Sequence, residues 1–459
     1  MKYIKKNKNV DLEKKNSLIS NICDRFKDCS DFSCSKIIAE NTGVEIYKIY
    51  INEFVDKQLI DETILKPIAE NVNKIFSSTD LLNTIKSGKV YYTDVKVEIQ
   101  LEKIIDSLLS ANFVLVCENQ AFIFDSTKLS KRSIVKPENE VAVKGAQEGF
   151  IESSATNIAL VRKRLKTDKL KVLEEQVGEE TKTKVNIVYV EGIAKEELIR
   201  NIKERVKNVD VPSIVSVGDF EEHIIDRKYS IFPQAIVTER PDKVAANLIE
   251  GKVAIFIDGF PTVYIAPAVL AMFMQATEEY NVNYFVSSMI RALRYVCLFI
   301  SILIPALYVA ITTFHQEMLP TTLAESIIQS KQNVPLPAFL EIIIMLIAFE
   351  ILLEAGARMP KTAGQTVSIV GALIVGDAAV NAQFVSPAVV VIVAIAAICG
   401  FVIPNQDLAN TIRINRLLLV ICSSIAGFFR TFYSSNSTIL LYVFYTKFWR
   451  TIFKTVYIK

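Results

Sequence analysis

Three carboxylates, Glu341, Glu350 and Glu354, lie inside one apolar run, Leu336 to Gly356, with Arg358 just beyond it. Exposing a charge to hydrocarbon is costly, so acids in such a run are expected to face protein or water. Glu350 and Glu354 share a helix face, whereas Glu341 points nearly opposite, close to the outer end, where it would reach the headgroups. Arg358 follows Glu354 at the spacing of a helical ion pair, so Glu354 and Arg358 are a candidate structural pair. Two readings are open for Glu350. In one it lines a water-filled path and, repeated around an oligomer, makes an acidic ring that attracts cations. In the other it is hydrogen-bonded or ion-paired between helices. Asp377 and Asn381, one turn apart in GQTVSIVGALIVGDAAVNAQ, complete a candidate ion path with Glu350 and Glu354. Small residues there permit close packing, and an interrupted helix can line an ion site. The blander reading of Asp377 and Asn381 is a loop end at the interface.

These residues need membrane helices to position them. The character of the chain changes near residue 290, from charge-rich to apolar. Residues 292–314, ALRYVCLFISILIPALYVAITTF, hold no acid. About 20 apolar residues match a hydrocarbon core of about 30 Å. Further segments are expected at 336–356, 367–380, 385–403 and 417–429, with a weaker one at 439–448, giving an all-α multi-pass membrane domain of five or six helical segments at 289–459. Pro305 would kink the first. Arg291 and Arg294 precede the first span, Glu317 and Glu325 follow it, and Arg358, Lys361, Arg413 and Arg416 flank later ones. The positive-inside rule then puts the N-terminal region in the cytosol and the loop near 315–335 outside, with the third and fourth segments as a hairpin.

The first 290 residues read as an α/β region of two subdomains, 36–145 and 146–288, after a flexible basic tail at 1–35. No apolar h-region follows the basic start, so this region is expected to stay where it is made. Apolar positions from Ser35 to Phe76 recur at helical spacing. Phe113 to Asp125 reads as two strands around Glu118-Asn119-Gln120, Val185 to Val190 as a buried strand, and Ala194 to Val206 as a helix. A further strand pair is expected at 253–258 and 262–265.

The chemistry available is limited. The chain of 459 residues carries a formal charge of +2, which offers no argument for nucleic-acid binding. Its seven cysteines and two histidines show no metal-knuckle spacing and no disulfide framework. No Walker A, GxGxxG, GxSxG or HExxH sequence occurs. No enzyme activity, catalytic residue, metal or cofactor is expected. Glu239-Arg240-Pro241-Asp242 reads as a helix start capped by Asp242 and closed by Gly251 rather than an active-site turn. Asp258 reads as a strand-end residue before a cation ligand. The basic run Arg162 to Lys166 reads as a solvated helix face, with headgroups or acidic partners as the alternative.

Four stretches carry a family resemblance: EGFIESSATNIALVRKRLK (Glu148 to Lys166), FPQAIVTERPDKVAANLIEGKVAIFIDGFPTVYIAP (Phe232 to Pro267), LIPALYVAITTFHQEMLP (Leu303 to Pro320) and FEILLEAGARMPKTAGQTVSIVGALIVGDAAV (Phe349 to Val380). They resemble the A subunit of GerA-type spore germination receptors, from about residue 35 to about 429. The resemblance implies an endospore inner-membrane protein, its N-terminal domain on the core side, working with B and C subunits. It implies an oligomeric, ligand-gated cation-channel component in a receptor for small germinants, without enzyme activity. Departures are Glu278-Glu279-Tyr280-Asn281 where the family has Glu-Asp-Tyr-Tyr, Gln147 in place of a basic residue, and a tail after Phe429 that does not align. Low Gly and no Pro there suggest, as a hypothesis, a reading-frame change, which translation of the gene's other frames would test. A secondary transporter is the second reading, although a paired interrupted segment is missing; a membrane-anchored signalling scaffold is the third.

Overall fold

The computed structural model describes residues 17–38, 44–70, 77–85, 87, 90, 95–125, 137, 140, 146–225, 231–276, 279, 282–358 and 376–444. They fall into two units, one of residues 1–228 and 235–267, the other of residues 229–234 and 268–459.

The first unit holds two antiparallel sheets. Strands β1 (Phe32–Ile38), β2 (Glu45–Ile51), β3 (Val95–Glu98), β4 (Asn112–Cys117) and β5 (Gln120–Asp125) pair in the order β1-β2-β4-β5-β3. Cys117 faces Gln120 across the hairpin, and Glu118 takes a φ of 53° to close it. Helix α1 (Ser17–Arg25) covers this sheet with Leu18, Ile19 and Ile22, and α2 (Leu101–Leu109) with Ile104, Ile105 and Leu108. Part of the expected tail is thus an ordered helix, because its apolar positions recur three to four residues apart. The helical reading from Ser35 to Phe76 holds over residues 57–70 but is corrected ahead of them. EIYKIYI is a strand, since β-branched and aromatic side chains fill a pleated surface better than a helix stripe.

In the second sheet, β6 (Leu170–Val177), β7 (Thr183–Val190), β8 (Ile236–Thr238), β9 (Val253–Ile257) and β10 (Val263–Ala266) pair in the order β6-β7-β9-β10-β8. Helices α3 (Ser154–Arg164), α4 (Glu196–Lys207) and α5 (Pro241–Ile249) accompany it. Asp258 spends its carboxylate on the start of α3, accepting from the Ser154 N–H at 3.0 Å and the Ser154 hydroxyl at 2.8 Å. Pro241 is the first residue of α5, but the cap position belongs to Arg240 rather than Asp242. Arg240 is buried and donates to both Asp242 oxygens and to the Glu140 and Ala146 carbonyls.

Gly251 ends the α5 turn at φ 86°, where a Cβ would stand 3.0 Å from the Ile193 carbonyl oxygen. Gly251→Ala is expected to lower stability by about 1–2 kcal/mol, seen as an earlier denaturation midpoint, because L residues pay for left-handed backbone.

The basic run is solvated at Lys163 and Lys166 and partly so at Arg164, but not at Arg162. Arg162 is 1% exposed and grips Asp31 through Nε and Nη2, while Nη2 also donates to the Leu170 carbonyl at 3.0 Å. Lys163 and Arg164 turn outward and pair Glu148, and Lys166 is exposed. Burial works against the Glu148 charge, but these two cations outweigh it and hold the carboxyl below its ordinary value.

The second unit is helical: α6 (Tyr284–Phe314), α7 (Thr321–Lys331), α8 (Ala338–Arg358), α9 (Pro387–Phe401) and α10 (Gln406–Phe444). Among the described residues, two helices are long and apolar enough to cross a membrane, α6 and residues 406–425 of α10. Helix α6 begins before the expected Ala292 and, at about 46 Å, carries Arg291 and Arg294 within it. Helix α10 runs unbroken through the stretch read as a gap between the fifth segment and the weaker sixth. Most of the expected third segment lies outside the described residues; residues 376–381 are helical. Ala306, Val309, Ile342, Leu346, Val389 and Leu419 form the core. Serines join the helices: Ser301 donates to the Ala396 carbonyl at 2.8 Å and Ser423 to the Ala306 carbonyl at 2.6 Å. Such bonds suit helices that lack a hydrophobic driving force between them.

Candidate functional site

Glu350 is delivered by α8 and met by α10. Arg413 and Arg416, three residues apart on α10, present their guanidinium groups on one face. Glu350 Oε1 accepts from Arg416 Nη2 at 3.0 Å, and Oε2 lies 3.9 Å from Arg413 Nη1. The Arg416 side chain is 4% exposed and Glu350 is 35% exposed. Two cations thus serve one acid, and the buried one carries an Nε without a hydrogen-bond partner. The sequence marks both arginines only as orientation signals at a span end. Their cue as site residues is that RINRLLLV places them against an apolar run.

One turn along α8, Glu354 turns away from this cluster. Its Oε1 accepts from Arg358 Nε at 2.9 Å and Nη2 at 2.6 Å, and the pair is exposed. Asp377 and Asn381 are exposed on the helical residues 376–381. The structure therefore joins Glu350 to Arg413 and Arg416, and Glu354 to Arg358.

Glu341 departs from its expected place at the headgroups. It is completely buried, and its Oε2 accepts the Ser386 N–H at 2.8 Å. Oε1 stands 3.0 Å from the Lys331 ammonium at the end of α7. The loop that follows α6 folds back as α7 and brings a cation inward, which periodicity within α8 could not reveal.

A second buried carboxylate stands before α6. Glu279 accepts from Arg291 Nε at 3.0 Å and Nη2 at 2.7 Å, from Arg294, and from the Ala276 N–H at 3.1 Å. Burial alone would raise its pKa. The Ala276 N–H and the two guanidinium groups overcome that and hold it below the ordinary 4.5. The sign follows: a depressed folded-state pKa adds stability above about pH 4.5 that disappears as pH falls through the folded value. Glu279→Gln should therefore melt earlier than wild type at pH 7, and the gap should close on acidification below about pH 4. A gap that widens in acid would contradict this assignment.

Among the described residues no group of three or more His, Cys, Asp or Glu is placed to hold a metal ion. The site offers fixed charges and their pairing.

The model of the Bacillus/Clostridium GerA spore germination protein family matches residues 20–453. It passes Phe429, which moves the limit of the similarity and leaves the reading-frame hypothesis resting on tail composition alone. Spore germination protein KA of Bacillus subtilis is 38% identical over 90% of this chain and 77% of its own length. The uncharacterized membrane protein YfkQ of the same organism is 39% identical over 87% of this chain and 78% of its own. The crystal structure of the N-terminal domain of the A subunit of the Bacillus megaterium spore germinant receptor GerK3 is 29% identical. It covers 57% of this chain and 99% of that one, with a TM-score of 0.44. The chain belongs to the GerA family of spore germination proteins, as an A-subunit membrane protein with helical spans.

Proposed function

We propose that this chain is the membrane subunit of a germinant receptor and that several copies together form a ligand-gated cation channel in the spore inner membrane. It would work beside B and C subunits, its N-terminal domain on the core side, and cross the bilayer with five or six segments. The observation that carries the reading is the Glu350–Arg413–Arg416 cluster between apolar helices. Charges held at such a position are costly unless paired or hydrated, and they commonly mark an ion path or a gate. In one chain the acid is neutralised, so Glu350 acts in conduction only when its arginines let go. Glu354, Asp377 and Asn381, exposed in the single chain, would then face a neighbouring subunit or water.

Germinant-triggered potassium or proton flux from the assembled complex tests the proposal, with Glu350→Gln and Glu354→Gln beside wild type. Flux at channel rates, altered in Glu350→Gln, is the expected result. Slow, saturable uptake coupled to the germinant would instead make the protein a transporter. No flux from a well-assembled complex would reduce the spans to anchors.

A further inference from the structure

Around Glu341 the helices bring together more polar atoms than they satisfy. Tyr308 comes from α6, Lys331 from the end of α7, Glu341 from α8, and Ser386 caps α9. Glu341 and Ser386 are fully buried and Tyr308 is 8% exposed. The Tyr308 hydroxyl and the Ser386 Oγ lie near each other without the geometry of an aligned hydrogen bond and have no other partner, and Glu341 Oε1 accepts none. The Tyr308 hydroxyl faces Ser386 and the Glu341 carboxylate. Lys331 Nζ lies 3.0 Å from Oε1 without hydrogen-bond alignment, and 5.8 Å from the Tyr308 ring centroid. Buried hydroxyls normally find partners, so such orphans mark a place where something else binds.

The chemistry of that occupant follows from the atoms. Three oxygens, one anionic and two neutral, form a hard donor set that suits an alkali or alkaline-earth ion over a soft metal. Charge decides between those two classes. One carboxylate balances one positive charge, and a divalent ion would leave an uncompensated charge in a dry interior. Lys331 already supplies that single charge from a long, flexible stem. Its helix, α7, has no buried residue and meets the core through the partly buried Ile327.

We propose that Tyr308, Glu341 and Ser386 form a binding site for a monovalent alkali cation, and that Lys331 is a tethered ammonium that occupies it and exchanges with the free ion. The site does not depend on conduction through Glu350, because binding is read without flux.

Rubidium is the probe, and the whole chain in detergent micelles is the sample. Lys331→Gln is expected to bind rubidium at least about tenfold more tightly than wild type. Adding Glu341→Gln or Tyr308→Phe to it should abolish or weaken that binding, while Lys331→Arg should stay as closed as wild type. Equal rubidium binding by Lys331→Gln and wild type overturns the proposal, as does binding that survives Glu341→Gln. Wild type gives a test that needs no variant: acetylation of Lys331, followed by mass spectrometry. It should run about threefold faster in rubidium chloride than in choline chloride at equal ionic strength, since the ion displaces the ammonium. Equal rates in the two salts also overturn it.

Discussion

Arg162→Met should make the N-terminal unit unfold about 3–5 kcal/mol more easily than wild type, the usual cost of stripping one partner from a buried ion pair. Arg162 belongs to α3 of the second sheet, yet its guanidinium closes on Asp31, just ahead of β1 in the first. The two segments also touch through backbone: Ser30 N–H donates to the Val172 carbonyl at 2.9 Å, and Cys29 bridges Val172 in parallel. Without the arginine, Asp31 keeps a largely buried charge and the Leu170 carbonyl loses a donor. Asp31→Asn should be damaging for the mirrored reason, since Arg162 is the more deeply buried of the two. The double replacement Arg162→Met with Asp31→Leu should cost less than the two single changes added together, because no unpaired charge remains. Hydrogen exchange of β1 and β6 peptides in the whole chain, read against denaturant, measures all three. A loss below about 1 kcal/mol in Arg162→Met would show the pair to be peripheral.

Glu350→Gln is the second large effect, and it should exceed that of Arg416→Gln. The reason is an asymmetry of burial. Removing the acid leaves the nearly inaccessible Arg416 without its counter-ion and with Arg413 close by, a loss of about 3 kcal/mol. Removing Arg416 leaves a carboxylate that is one-third exposed and still has Arg413 at 3.9 Å, a loss of about 1 kcal/mol. Thermal melting in micelles should rank them accordingly, with the double variant more stable than Glu350→Gln alone. Arg416→Gln as the worse of the two would reverse the burial argument. The double variant also separates structure from conduction. Restored melting with normal flux would make the pair a brace between α8 and α10. Restored melting with flux still altered would place the Glu350 carboxylate on the ion path.

How far these residues could be read from the chain alone differs with the range of the interaction. Glu354 and Arg358 are four apart, so helix geometry predicted their pairing. The hairpin around Glu118 and the apolar run of α6 follow equally from neighbours within a few positions. The exceptions are instructive. EIYKIYI matched a helical spacing nearly as well as a strand spacing, and only pairing with β1 and β4 decides between them. Arg162, in a basic run, carried a local signal of exposure that its contact 131 residues away overrules.

The membrane half makes the same division. Run length and the quoted motifs sufficed for helices and the family, because each depends on composition along a short stretch. Glu341 to Ser386 and Glu350 to Arg416 span 45 and 66 positions and Lys331 to the Tyr308 ring spans 23, and no helical period in the sequence encodes them. Whether an acid in an apolar helix is free, paired or capping a neighbour is set by which helix lies against it. A single helix exposes every one of its faces, so that choice exists only once the helices have packed.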